Sequence, residues 1–214
     1  MLIWMSRGGP LMWLILLDGL LAVGVFLERW LYYHRAQIHV ADFVNGIRNS
    51  LKRGNVIEAI ATCDETAGPV AQVVKAALIS HDRSRDEIRE AVQDVARGEV
   101  TRLERRLVVL ATVAQVTPLI GFLGTVLGMI QMFKVIQETQ LPNPGQLAGG
   151  VWEALLPAAG GLMVAIPAYV AYNYLVGRVQ HLVQDMEWAA NDIVGFLSRQ
   201  DQAEPSSAPI VAIK

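Results

Sequence analysis

Leu107–Phe133 reads LVVLATVAQVTPLIGFLGTVLGMIQMF, a run without a single charged side chain. A plain lipid anchor has no use for its centre, Gly121-Phe122-Leu123-Gly124-Thr125-Val126-Leu127-Gly128, which sets small residues and one hydroxyl on a shared helical face. Hydrocarbon penalises unsatisfied polar atoms and gives helices no hydrophobic reason to associate. Small and hydroxyl residues inside it therefore mark close helix contact or a wet path.

Working outward, two more apolar stretches appear. Residues 10–33, 107–136 and 151–177 each exceed the roughly 20 residues needed to cross about 30 Å of hydrocarbon. The 214-residue chain is 53% hydrophobic, with a mean hydropathy of +0.35. The expectation is an all-α, polytopic membrane protein with three transmembrane helices, two of them extended into a cytoplasmic helical bundle. The first stretch lacks a basic leader and ends in Glu28-Arg29 with no small-x-small cleavage site, so it reads as a retained helix.

Lys and Arg recur from Arg35 to Arg106, whereas Gln137–Gly150 has none. The positive-inside rule places residues 34–106 in the cytoplasm and the short loop, 137–150, in the periplasm. Residues 1–9 then form a periplasmic N-terminal segment, and the C-terminus is cytoplasmic. Trp13 suits the outer belt, with Trp30, Tyr32 and Tyr33 at the inner boundary.

Between the first two spans the pattern is that of ordinary soluble helix. Phe43, Ile47 and Leu51 keep helical spacing, and Gly54-Asn55 marks a stop and restart. A short helix over Val56–Cys63 precedes another that opens at Gly68-Pro69 and runs through Leu78. Ser84 with Glu87 forms a capping box. Beyond it Ile88, Val92, Val95, Val100, Leu103 and Leu107 form one stripe, which predicts a single helix from the cytoplasm across the bilayer. The third span should likewise run on through residues 178–200, where Val179, Leu182, Val183, Met186, Ala190 and Ile193 continue the stripe. The tail, residues 201–214, is expected to be disordered.

In the third span Gly150, Ala154, Ala158, Gly161, Ala165 and Ala168 follow offsets of three and four, a surface against which another helix packs closely. Pro157 and Pro167 each remove a backbone donor and favour bending. Gly121, Gly124 and Gly128 give the second span its narrow face. Glu153 either marks the water boundary or lies deeper as a proton carrier. Thr125 either bonds the carbonyl one turn back or donates and accepts along a proton path. Thr112, Gln115 and Thr117 are further polar groups on that helix. Asp18, midway along the first span, is either protonated or paired against another helix; facing lipid, it would cost about 2.5–3.5 kcal/mol.

Other chemistries find little support. A single cysteine, Cys63, allows no internal disulfide, and the four histidines give no metal-ligand spacing; no cofactor is expected. Neither a catalytic triad nor a nucleotide loop is present. Basic residues of the cytoplasmic region are interleaved with Asp82, Asp86, Glu87, Glu90 and Asp94, which argues against nucleic acid as a partner.

Two segments together resemble one family. Thr117–Ile130, TPLIGFLGTVLGMI, is similar to the second transmembrane helix of the ExbB/TolQ/MotA proton-channel family. Glu153–Ala168, EALLPAAGGLMVAIPA, is similar to its third, and the ExbB-like branch resembles this chain most. The resemblance implies a bacterial inner-membrane homopentamer around a dimer of a single-span ExbD/TolR-like partner, whose membrane aspartate carries the proton. Energy would pass to a TonB/TolA-like transducer. TolQ-like or flagellar- and gliding-type stators are the alternatives, and a structural scaffold without conduction is another. The resemblance also implies that Thr125 lines the pore beside the partner's aspartate, with Glu153 in the same pore. One departure stands out: Ala158 occupies a position where the family usually carries a pore threonine. Thr117 is the expected compensating hydroxyl, and the missing oxygen ligand weakens a sodium-driven alternative.

Overall fold

The computed structural model describes residues 9–139 and 144–203, all in helices and short connections. Among the described residues seven helices follow in order: α1 (Gly9–Ala36), α2 (Val40–Lys52), α3 (Val56–Glu65), α4 (Pro69–Ile79), α5 (Arg85–Glu104), α6 (Leu107–Thr139) and α7 (Pro144–Ala203). Three segments are long and apolar enough to cross a membrane: Pro10–Ala36, Leu107–Glu138 and Leu147–Arg199. The expected outer segment up to residue 8, the middle of the expected loop and the tail from residue 204 lie outside the described residues.

The chain divides into two compact units. Of the described residues, those up to 30 and between 105 and 176 form one, and those between 31 and 104 and from 177 onward form the other. In the second unit, three connections explain why so polar a stretch forms short helices. Gly54 adopts φ +74°, a left-handed turn open to glycine at no steric cost. Gly68, at φ +137°, passes so close to Ala36 that an added Cβ would lie 3.1 Å from its carbonyl oxygen. Pro69 then occupies the first turn of α4, where its missing N–H costs nothing. At Ser84 the capping box closes in both directions. The Ser84 amide donates to Glu87 Oε2 at 2.9 Å, and the Glu87 amide donates to Ser84 Oγ at 3.4 Å.

Those helices bury one apolar core, built from Val44, Ile47, Leu51, Val73, Val74 and Leu78 together with Ile88, Met186 and Ile193. The stripe expected beyond Gly177 accordingly faces this core. Cys63 is fully buried there. Desolvation, reinforced by neighbouring Asp64, pushes its thiol up to about 12, which keeps it a small apolar filler. Arg48 pairs with Asp192 at 3.5 Å and lies 5.5 Å from the Phe196 ring centre.

The expected single helix from Ser84 into the second span is corrected. α5 stops at Glu104, Arg105 and Arg106 form a turn, and α6 begins at Leu107. Tertiary bonds outweigh the unbroken stripe at this point. Within the second unit, the Tyr33 hydroxyl donates to the Leu103 carbonyl at 2.8 Å, satisfying an acceptor of the kind a helix end releases. Within the first unit, the Arg106 guanidinium is bound by the Glu28 carboxylate. Helical residues also reach further into the expected outer loop than the sequence indicated, because Pro144 is already shaped for a first helical position.

Candidate functional site

The first unit is a three-helix arrangement whose register can be read from its contacts. Leu11 approaches Gly124, Thr117 bonds Asp18, and Arg106 pairs with Glu28, so span one runs antiparallel to span two. Span three runs antiparallel to span two as well. Gly128 meets Ala154, Gly124 meets Pro157, and Gly121 meets Pro157, Ala158 and Gly161.

Glycine is required along this seam. A Cβ at Gly121 would stand 2.7 Å from the Pro157 carbonyl oxygen, and one at Gly161 would stand 2.8 Å from that of Thr117. A Cβ at Gly128 would come within 2.8 Å of the Ala154 Cα. These are backbone approaches that no rotamer change relieves, so the small residues let two helices pack at near-contact distance. Ala154 and Ala165 are buried on the same face. Gly121, Gly124, Gly128, Ala154 and Gly161 thus meet across the two helices.

Thr125 sits beside that seam, half-buried. Its hydroxyl donates to the Gly121 carbonyl at 3.3 Å, one turn back, while its oxygen keeps acceptor capacity. The register that pairs Gly124 with Pro157 brings half-buried Ala158 to the level of Thr125. Glu153 is exposed, one turn or about 6 Å from the Pro157 level towards the start of α7. Thr125, Ala158 and Glu153 therefore lie within about two turns of one another along spans two and three.

Thr117 is placed differently. It is 0% exposed, and its hydroxyl donates to Asp18 Oδ2 at 3.1 Å. Thr117 was expected to border a pore together with Thr125; its one hydroxyl proton is directed to span one, inside the three-helix unit. Asp18 takes the paired alternative left open by the sequence. Nothing in either local pattern signalled this partner, because the two residues are 99 positions apart.

Comparison with known proteins bears directly on this seam. Residues 65–188, more than half of the chain, match the model of the MotA/TolQ/ExbB proton channel family. The chain belongs to that family. An ExbB homologue named for biopolymer transport in Methanothermobacter thermautotrophicus is 27% identical over 181 residues, covering 84% of this chain and 64% of that protein. The chain thus spans less than two thirds of that relative's length. The biopolymer transport protein ExbB of Neisseria meningitidis is 28% identical over 203 residues, covering 88% of this chain and 91% of its own. The Tol-Pal system protein TolQ of Haemophilus influenzae is 40% identical over 102 residues, 48% of this chain and 45% of that one. The family-matched stretch holds the whole seam between spans two and three, whereas Asp18 lies outside it.

Proposed function

We propose that this chain is the ExbB-like subunit of a proton-driven motor in the bacterial inner membrane, with its N-terminus in the periplasm and its C-terminus in the cytoplasm. The observation that carries this is the glycine seam, which sets Thr125 level with Ala158 and one turn inward of Glu153 in a proton channel family member. Five copies would surround a dimer of a single-span ExbD/TolR-like partner, and a TonB/TolA-like transducer would receive the work. The TolQ relative supports a second, closely allied possibility, service to a Tol-type system.

In this mechanism the partner's membrane aspartate takes a proton from the periplasmic side. Once neutral it crosses the small-residue wall of spans two and three, then releases the proton inward. Thr125 offers an acceptor oxygen at that wall, and Glu153 draws protons towards its outer mouth. Moving one charge through 100 mV yields about 2.3 kcal/mol, and a pH gradient adds to it. Ala158 contributes no hydroxyl, so more of the relay falls to Thr125 and to water. Exposed apolar side chains, among them Leu119, Phe122 and Met163, are left for lipid and for neighbouring copies to cover.

The test is energised transport in cells. Thr125→Val, nearly isosteric, is expected to abolish it while native mass spectrometry still finds the pentamer with its partner. Full transport by that variant would remove Thr125 from the pathway. Glu153→Gln is expected to reduce transport, whereas a purely structural scaffold predicts that it is harmless.

A further inference from the structure

The Asp18–Thr117 bond joins spans one and two deep within their apolar lengths. With Leu11 facing Gly124 and Glu28 facing Arg106, Asp18 lies about 10 Å inward of the first contact and about 15 Å from the second. It is the only Asp, Glu, Lys, Arg or His between Pro10 and Leu27. There is none between Leu107 and Phe133 on span two, nor between Ala154 and Gly177 on span three. Between Ala154 and Gly177 the titratable groups are Tyr169, Tyr172 and Tyr174. At the level of the pair that helix instead presents Gly161, beside the Thr117 carbonyl, and Val164, beside Gly19. An apolar groove of about 1250 Å³ between spans one and three touches Ile15, Gly19 and Ala22 but neither member of the pair.

We propose that Asp18 and Thr117 form a second intramembrane proton site, separate from the wall of Thr125, Ala158 and Glu153. Asp18 binds one exchangeable proton, and Thr117 fixes its carboxyl group to span two. No cationic side chain of the three spans lies within reach, so a proton is the counter-charge that the chain's own composition leaves available. Loading transfers a proton from hydronium to Oδ1, giving a neutral carboxylic acid and a water; unloading reverses it. Oδ2 remains an acceptor in both forms, so the Thr117 hydroxyl holds the group throughout the exchange. Protonation changes the charge at the contact between span one, which lies outside the family-matched stretch, and span two, which lies inside it. Span one thereby becomes a proton-sensitive element rather than an anchor. Failure of this site leaves the Thr125 wall untouched, since each rests on different residues.

Infrared difference spectroscopy of the complete protein in liposomes, titrated with acid, tests the proposal. The expected spectrum contains a protonated-carboxyl C=O band that appears reversibly with pH. That band is lost in Asp18→Asn, shifts to higher frequency in Thr117→Val, where the hydroxyl donor is gone, and returns to the wild-type position in Thr117→Ser. Labelling of Asp18 by a membrane-soluble carbodiimide should fall as pH rises. Both single variants are near-isosteric, and native mass spectrometry establishes that they assemble. A band unaffected by Asp18→Asn overturns the proposal. Labelling independent of pH, whether always absent or always complete, also overturns it, because the carboxyl would then be permanently ionised or permanently protonated. Suppression of labelling by sodium at constant pH contradicts a proton site.

Discussion

Gly121 shows how much a single hydrogen atom in place of a methyl group decides. Its missing side chain lets span two reach the Pro157 carbonyl. Gly121→Ala forces the helices apart and is expected to destabilise the assembled protein by about 1–3 kcal/mol, the usual cost of overpacking. Gly98, in the interior of α5, has nothing within 4 Å of an added Cβ. Gly98→Ala is therefore expected to stabilise by about 0.5–1 kcal/mol through helix propensity alone. Thermal unfolding of the two variants checks both signs. Cys63 makes a third prediction at this scale. Burial holds its thiol protonated up to about 12 against an ordinary value of 9.0. Its raised value adds stability that is fully present below 9.0 and lost as pH rises through that interval. Maleimide labelling should accordingly stay slow in the folded protein at mildly alkaline pH and become fast on unfolding.

Among the helices, most boundaries were legible because single residues dictate them. Gly54, Gly68-Pro69 and the Ser84–Glu87 box end or begin helices by local chemistry, and the structure uses each one. The break at Arg105-Arg106 was not legible, since the apolar stripe runs through it without a breaker. What ends α5 there is a tyrosine 70 positions away, bonded to the Leu103 carbonyl. Periodicity along one helix carries no trace of such a partner. The capping box offers a check with a defined direction. Ser84→Ala is expected to cost about 0.5–2 kcal/mol. The bonds from Ser84 hold the Glu87 carboxyl below its usual range. A lowered value means the Glu87 contribution is present above the unfolded value and disappears as pH falls through the folded one. Wild type and Glu87→Gln should therefore differ in stability at neutral pH and converge in acid.

For the molecule as a whole, the membrane spans and the family were readable from composition and from two motifs, because bilayer thickness and close helix packing impose strict patterns. Site geometry was readable only in part. The glycine and alanine offsets pointed to close helix contact, and the two helices do approach closely at those residues. They were silent on Asp18, whose partner is set by the antiparallel register of spans one and two. Thr117 was expected as a compensating pore hydroxyl, and its bond to Asp18, which ties two helices together, was not foreseen. In the proposed mechanism, with Thr117 bonded to Asp18 and no hydroxyl at Ala158, the relay rests on Thr125 more heavily than the motifs alone implied. Proton uptake by liposomes holding this chain with its single-span partner, under an imposed membrane potential, tests that most directly. The account predicts uptake that needs both proteins and collapses in Thr125→Val despite normal assembly. Undiminished, partner-dependent uptake in Thr125→Val would contradict it.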